Sequence, residues 1–203
     1  MSPDVWLFLQ INTLARATPG LNPVVAGYAR DGLVVFAVLM VLGWWVARRR
    51  GDRRAMAAAL WTPLGMLLAL GLNQLLVEMV GRARPYAVLP DILVLADRST
   101  DPSFPSDHAV VAGAVTAGLL LVSWRLGLVA AAAALLMAFS RVYIAAHYPL
   151  DVLVGLVVGA AISLGGWLLA RPLLTRMLDR LERTRLAPVF VPRSPAVPGA
   201  TGD

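Results

Sequence analysis

The chain has no cysteine. Disulfides and thiol nucleophiles therefore play no part in it. It has two histidines, too few for a structural zinc site without thiolates beside them. Lysine is also missing, and all 18 basic residues are arginine. Charged residues make up only 15% of the chain, against about a quarter in soluble domains. That shortage excludes an ordinary soluble fold. The net charge of +6 would suit nucleic acid, but the arginines lie beside apolar runs. Topology and lipid headgroups account for them there, so no nucleic-acid partner is expected. The first residues, Met1 to Asp4, have no basic stretch and do not read as a cleaved signal peptide. No internal repeat of the transporter kind is present.

What the chain holds in excess is apolar side chains. It is 59% hydrophobic, with a mean hydropathy of +0.72. This composition predicts an all-α, polytopic membrane helix bundle. A length of 203 residues allows one bundle and no second domain. A single domain is expected over residues 1–186. Residues 187–203 are rich in Pro, Ser and Gly and are expected to be a disordered tail.

Residues 5–15 are mildly amphipathic but too short to span, since spanning takes about 20 apolar residues. They predict an interfacial helix. Five spans follow, over residues 24–47, 55–80, 106–124, 126–143 and 149–170. Pro63 is expected to kink the second. Residues 171–185 predict a separate basic amphipathic helix. The 48–54 loop carries five arginines and the 171–193 segment six. Arginine-rich short loops stay in the cytoplasm. Five spans put both segments on that side, so the chain ends inside. The extracytoplasmic face then receives the 81–105 loop, His108 and His147.

Three polar clusters fall at that outer face. Gly81-Arg82-Ala83-Arg84-Pro85 ends the second span. Pro105-Ser106-Asp107-His108 starts the third. Ser140-Arg141 and His147-Tyr148-Pro149-Leu150-Asp151 join the fourth to the fifth. A bundle would bring them together. Arginine forks match phosphate oxygens and neutralise transition-state charge. A neutral imidazole attacks phosphorus, and a carboxylate partner fixes its tautomer. Pro149 suits a first helical turn, which places Asp151 in that turn and His147 just before it. His108 would protonate the leaving oxygen. Ser106 and the free N–H groups of the third span would hold phosphate oxygens.

Each feature also has a plainer reading. Ser106 serves as an N-cap and Asp107 favours the helix dipole. A lone histidine at a membrane end is usually a satisfied interfacial residue, and end arginines mark topology or snorkel. Arg82, Arg84 and Arg141, however, lie on the wrong face for topology. Ionisable residues near membrane depth default to function.

Arg84-Pro85, Pro105-Ser106-Asp107-His108 and Ser140-Arg141-(five)-His147-(three)-Asp151 resemble the three signature motifs of the type 2 phosphatidic acid phosphatase family. That family includes lipid phosphate phosphatases and bacterial undecaprenyl-diphosphatases. The resemblance implies that His147 is a nucleophile forming a phospho-histidine, Asp151 orients it, and His108 is the general acid. Arg84 and Arg141 would bind phosphate with Ser106 and the Asp107 backbone N–H, with Arg82 and Ser140 as further candidates. It implies no metal and no cofactor, and a lipid phosphate substrate in a bacterial plasma membrane. The second motif more often carries glycine where Asp107 stands. Its Pro-Ser-Asp-His form is similar to the undecaprenyl-diphosphatases of the bacitracin-resistance type, which implies a polyprenyl diphosphate substrate. Phosphatidic acid, phosphatidylglycerol phosphate or another prenyl phosphate is the alternative. A non-catalytic anion-binding, headgroup-binding or transport protein is the alternative of another class.

One position departs from the pattern. The first motif opens with a lysine where this chain has Val77. Arg82 would either replace it or pair with Glu78 one turn earlier. Asn73, Gln74 and Glu78 are expected to face the bundle interior. The Asp107 carboxylate would repel a phosphate, so it is expected to point away or to meet Arg82 or Arg84.

Overall fold

A computed structural model describes residues 1–182 and 184. The expected disordered tail lies outside these residues. Helix α1 (Pro3–Ala17) starts where the Ser2 hydroxyl accepts from Val5 N and proline occupies the first turn. It buries Phe8, Asn12 and Ala15. The Asn12 side chain bonds both the carbonyl and the N–H of Leu93, at 2.7 and 3.0 Å. The helix expected at an interface is therefore also stitched to the bundle's outer loop.

The first predicted span is a bent pair, α2 (Asn22–Asp31) and α3 (Leu33–Arg50), with a 54° bend at Gly32. A Cβ at Gly32 would lie 2.4 Å from the Tyr28 carbonyl oxygen and 2.8 Å from Met137 Cε. No side chain fits where the chain turns. Gly51, at φ 70°, ends α3 as a left-handed cap. Asp52 then caps α4 (Arg53–Val80), which ends at Gly81 in the same conformation. A short turn of helix, α5 (Pro85–Val88), interrupts the outer loop.

Helix α6 (Asp107–Val122) is the centre of the fold. It packs against α4, against α7 (Trp124–Tyr143) and against α8 (Pro149–Leu181). Eleven of its 16 residues are buried. Its contact with α8 is backbone to backbone. A Cβ at Gly159 would lie 2.0 Å from the Val110 carbonyl oxygen, and one at Gly113 would lie 2.2 Å from that of Leu156. Small residues permit such an approach between membrane helices, where packing rather than water drives association.

Helix α8 runs unbroken for 33 residues, about 50 Å at 1.5 Å per residue. The predicted fifth span and the predicted basic helix are thus one element, with Pro172 inside it. Near its C-terminal end, Asp179 and Glu182 pair with Arg53 at 2.5 and 2.6 Å. These pairs are exposed and contribute little stability, but they bring the two arginine-rich segments to one end of the bundle. Among the described residues, α7, α8 and the continuous α4 region are long and apolar enough to cross a membrane, and the bent pair makes a fourth. The third predicted span, α6, has only 16 residues. The helical membrane bundle stands, and α6 is its shortest and most central apolar helix.

Candidate active site

The end of the bundle away from Arg53 gathers the three polar clusters. His147 sits in the turn between α7 and α8. The turn is drawn tight because Ala146 N and His147 N both donate to the Arg141 carbonyl, at 3.1 and 3.3 Å. Ala145 adopts φ 65° to make the bend. His147 Nδ1 lies 2.7 Å from the Ser103 carbonyl oxygen. A carbonyl only accepts, so Nδ1 carries the proton and Nε2 keeps its lone pair. Arg141 Nη2 lies 3.4 Å from Nε2. Burial, reinforced by the charges of Arg141 and Arg84, holds the imidazole well below the usual 6.5, against the opposing effect of the Ser103 bond. His147 is neutral at physiological pH.

Asp151 is fully buried in the first turn of α8. Its Oδ2 accepts from Tyr148 N at 2.8 Å and from the Ser103 hydroxyl. Its Oδ1 accepts from Arg82 Nη1 at 2.6 Å. The direct Asp151–His147 hydrogen bond expected from the sequence is not formed, since Oδ2 stands 3.9 Å from Nδ1. Ser103 intervenes. Its hydroxyl donates to the carboxylate and its carbonyl accepts a hydrogen bond from the imidazole N–H.

Arg82 answers neither sequence expectation. It meets Asp4 Oδ2 at 2.6 Å and Asp151 Oδ1 at 2.6 Å, with its guanidinium 3.9 Å above the Tyr148 ring. It is occupied by carboxylates, does not pair with Glu78, and is absent from the cavity wall. Ser140 also departs from expectation. It is fully buried, and its hydroxyl donates to the Met137 carbonyl at 2.8 Å, away from the cavity.

Arg84, Asp101, His108 and Arg141 line two adjoining cavities of about 530 and 340 Å³. The larger also reaches His147, Asp107, Gln74 and Val77. The smaller extends to Arg30, Asp97 and Ser99. Backbone carbonyls aim the arginines. Arg84 Nε donates to Asp101 O at 2.8 Å, and Arg141 Nη1 to Ala29 O at 3.2 Å. Arg141 Nε is buried with no protein partner. Val77, at the missing-lysine position, gives the cavity an apolar wall instead of a charge. Two histidines and two arginines lining one space can bind a phosphate and move a proton to or from it.

The start of α6 also differs from its plainer reading. Ser106 makes no side-chain cap. Its hydroxyl is buried without a protein partner, and its N–H donates to the Asp151 carbonyl at 3.1 Å. Asp107 Oδ1 accepts from Asn73 Nδ2 at 2.7 Å and Gln74 Nε2 at 3.1 Å. The carboxylate thus meets amides on α4, not Arg82 or Arg84. Asn73 is buried as expected, but Gln74 and Glu78 are exposed rather than turned inward. Among the described residues, no group of three His, Asp or Glu side chains is placed to hold a metal ion. Sequence reasoning missed Ser103 and Asp4. Ser103 acts through its backbone carbonyl as well as its hydroxyl. Asp4 lies 147 positions before the Asp151 whose arginine it shares.

A histidine–arginine pocket at one end of an apolar helix bundle defines a membrane-embedded phosphate-handling fold. Residues 58–173 match the PAP2 superfamily, and the chain belongs to it. It is 29% identical over 167 residues to an undecaprenyl-diphosphatase of Sulfolobus acidocaldarius, covering 79% of this chain and 75% of that one. It is 26% identical over 157 residues to the undecaprenyl-diphosphatase BcrC of Bacillus subtilis, covering 77% and 79%. The fold is similar to that of LpxE from Aquifex aeolicus, with a TM-score of 0.58 at 23% identity, over 81% of this chain and 94% of that one.

Proposed function

We propose that the protein is a metal-independent membrane phosphatase that hydrolyses a polyprenyl diphosphate, such as undecaprenyl diphosphate, to the monophosphate and inorganic phosphate. Family membership and the diphosphatase relatives support the substrate class. One observation carries the chemistry. His147 presents an unprotonated Nε2 to a cavity shared with Arg84, Arg141 and His108, because the Ser103 carbonyl holds its proton on Nδ1.

In this mechanism the terminal phosphate lies between Arg84 and Arg141, with further donors in the free N–H groups at the start of α6, Asp107 N among them. The buried, unpartnered Ser106 hydroxyl lies in the same turn. His147 Nε2 attacks phosphorus, and the bond to the bridging oxygen breaks. His108 gives that oxygen its proton, and the lipid monophosphate leaves. Water then attacks the phospho-histidine and passes a proton back to His108. Phosphate departs, and the Nε2 lone pair is restored. The arginines neutralise charge that grows on the equatorial oxygens, which is the main demand of phosphoryl transfer.

The site is proposed to face the extracytoplasmic leaflet, with α8 ending in the cytoplasm. The arginine-rich segments at the opposite end support this orientation. Hydrolysis there would return a carrier lipid for cell-wall synthesis. The test is phosphate release by purified protein in excess EDTA, with undecaprenyl diphosphate, phosphatidic acid and phosphatidylglycerol phosphate offered separately. The diphosphate is expected to turn over fastest, EDTA to have no effect, and His147→Ala to abolish release. Turnover by His147→Ala overturns the phospho-histidine. Preference for phosphatidic acid overturns the substrate. No release by the wild type favours a headgroup-binding or transport protein.

A further inference from the structure

We infer that Asp4 and Arg82 are positioning residues for the His147 nucleophile, so that helix α1 is a working part of the active site; this rests on the phospho-histidine reading. The geometry forms a closed ring with one outside anchor. Arg82 Nη1 holds Asp151 Oδ1 at 2.6 Å. Asp151 Oδ2 accepts the Ser103 hydroxyl. Ser103 N donates back to the Arg82 carbonyl at 2.7 Å. Residue 82 therefore grips Ser103 twice, directly by its backbone and through Asp151 by its side chain. The Ser103 carbonyl is the group that fixes the His147 tautomer and ring plane.

The anchor is Asp4. Its Oδ2 takes Arg82 Nη2 at 2.6 Å, and its Oδ1 takes Leu150 N, in the first turn of α8, at 2.8 Å. One carboxylate from α1 thereby locks the arginine against the helix that carries Asp151. The guanidinium fork is needed for this, because its two arms hold two separate carboxylates while its face covers the Tyr148 ring at 3.9 Å. A lysine has neither the fork nor the face. Neither Asp4 nor Arg82 lines the cavity. They act on the chemistry through Ser103 and not by touching phosphate. Their loss should therefore slow the chemical step and leave binding nearly intact.

The experiment uses the full chain in detergent micelles, with farnesyl diphosphate as the soluble probe. Kcat and KM are compared for wild type, Asp4→Ala, Asp4→Glu, Arg82→Ala, Arg82→Lys and the Asp4→Ala/Arg82→Ala pair. Arg53→Ala, which breaks exposed ion pairs at the other end, and His147→Ala are controls. Arg82→Ala is expected to lower kcat about 100-fold, the order lost on misplacing a reacting group by about 1 Å, with KM within about twofold. Arg82→Lys should behave like Arg82→Ala. Asp4→Ala should lose about tenfold, and Asp4→Glu should recover most of that by keeping the charge. The double variant should be no slower than Arg82→Ala, because residues acting in series are non-additive. Arg53→Ala should match wild type.

A purely structural role predicts lower melting temperatures with kcat per folded molecule unchanged, and that result overturns the inference. A rise in KM at constant kcat also overturns it, because it would mean direct phosphate contact. If Arg82→Ala does not fold, the Asp4 variants at the edge of the ring decide the matter by the same kcat and KM criteria. His147→Ala separates the two levels. If it is inactive while the Asp4 and Arg82 variants match wild type, only this inference fails. If it turns over normally, the nucleophile reading itself fails.

Discussion

The α6–α8 crossing sets the distance between the two histidines, and Gly159→Ala tests this directly. The new Cβ would sit 2.0 Å from the Val110 carbonyl oxygen. Real Cβ contacts do not close below 3.0 Å, so the helices must part by at least about 1 Å, since close-packed interiors have no slack to absorb it. The carbonyl belongs to backbone inside a helix and cannot swing aside. His108 lies in the first turn of α6, and His147 leads into α8, so the displacement falls between acid and nucleophile. A misplacement of about 1 Å lowers rates about 100-fold, and overpacking costs about 1–3 kcal/mol of stability. The assay is kcat with farnesyl diphosphate, alongside a thermal melt in detergent. Gly165→Ala is the control, because nothing lies within 4 Å of a Cβ there, and alanine should if anything stabilise the helix. If Gly159→Ala keeps more than half of the wild-type kcat, close backbone approach does not position the site.

Two further outcomes follow from the site. Protonation removes the Nε2 lone pair, so activity is lost as pH falls through the His147 pKa. Burial, Arg141 and Arg84 hold that value well below 6.5, so the acid limb of kcat/KM, set by the free enzyme's base, should lie below pH 6.5, while His108 as the acid sets the alkaline limb. Arg141→Ala should move the acid limb upward as well as weaken binding, and a wild-type limb at or above 6.5 contradicts the buried neutral imidazole. Asn73→Ala removes the 2.7 Å donor to Asp107 and leaves only Gln74 at 3.1 Å. Stability should fall by about 2 kcal/mol, the worth of a hydrogen bond to a charged group, and KM should rise as the freed carboxylate repels the diphosphate. An unchanged KM would mean that the Asp107 side chain does not face the substrate.

Much of the bundle was legible because apolar runs and arginine-rich loops are written in residue type. The meeting of Arg84, His108, Arg141 and His147 was legible for the same reason, given topology. The missed parts depend on groups that leave no mark in a sequence. Any residue supplies a carbonyl, so nothing distinguished Ser103 O as the partner of His147. Ser140, adjacent to Arg141, points a different way on α7, into packing against Met137. Arg82 was expected either to stand in for the lysine missing at Val77 or to pair with Glu78, four residues earlier. The partner it found, Asp4, is 78 positions away. Asp107 was expected to point away or to meet an arginine, on charge alone, whereas the structure satisfies it with two neutral amides on α4. Hydropathy did not set α6 apart from the other apolar runs, although its neighbours cover most of it.

That shielding has a consequence for how a lipid reaches the chemistry. Sixteen residues rise about 24 Å, short of the roughly 30 Å of a bilayer's hydrocarbon core. A helix facing lipid would have to tilt, thin the membrane or pair with others to tolerate that mismatch. Helix α6 is covered over most of its surface by its neighbours instead, so the bilayer does not alone dictate its length. Its histidine-bearing end is free to sit beneath the plane that the longer helices reach. A phosphate can then be drawn down to the acid and nucleophile, with no need for its chain to climb into water. Each methylene that stays in the bilayer keeps about 0.8 kcal/mol that full extraction would forfeit.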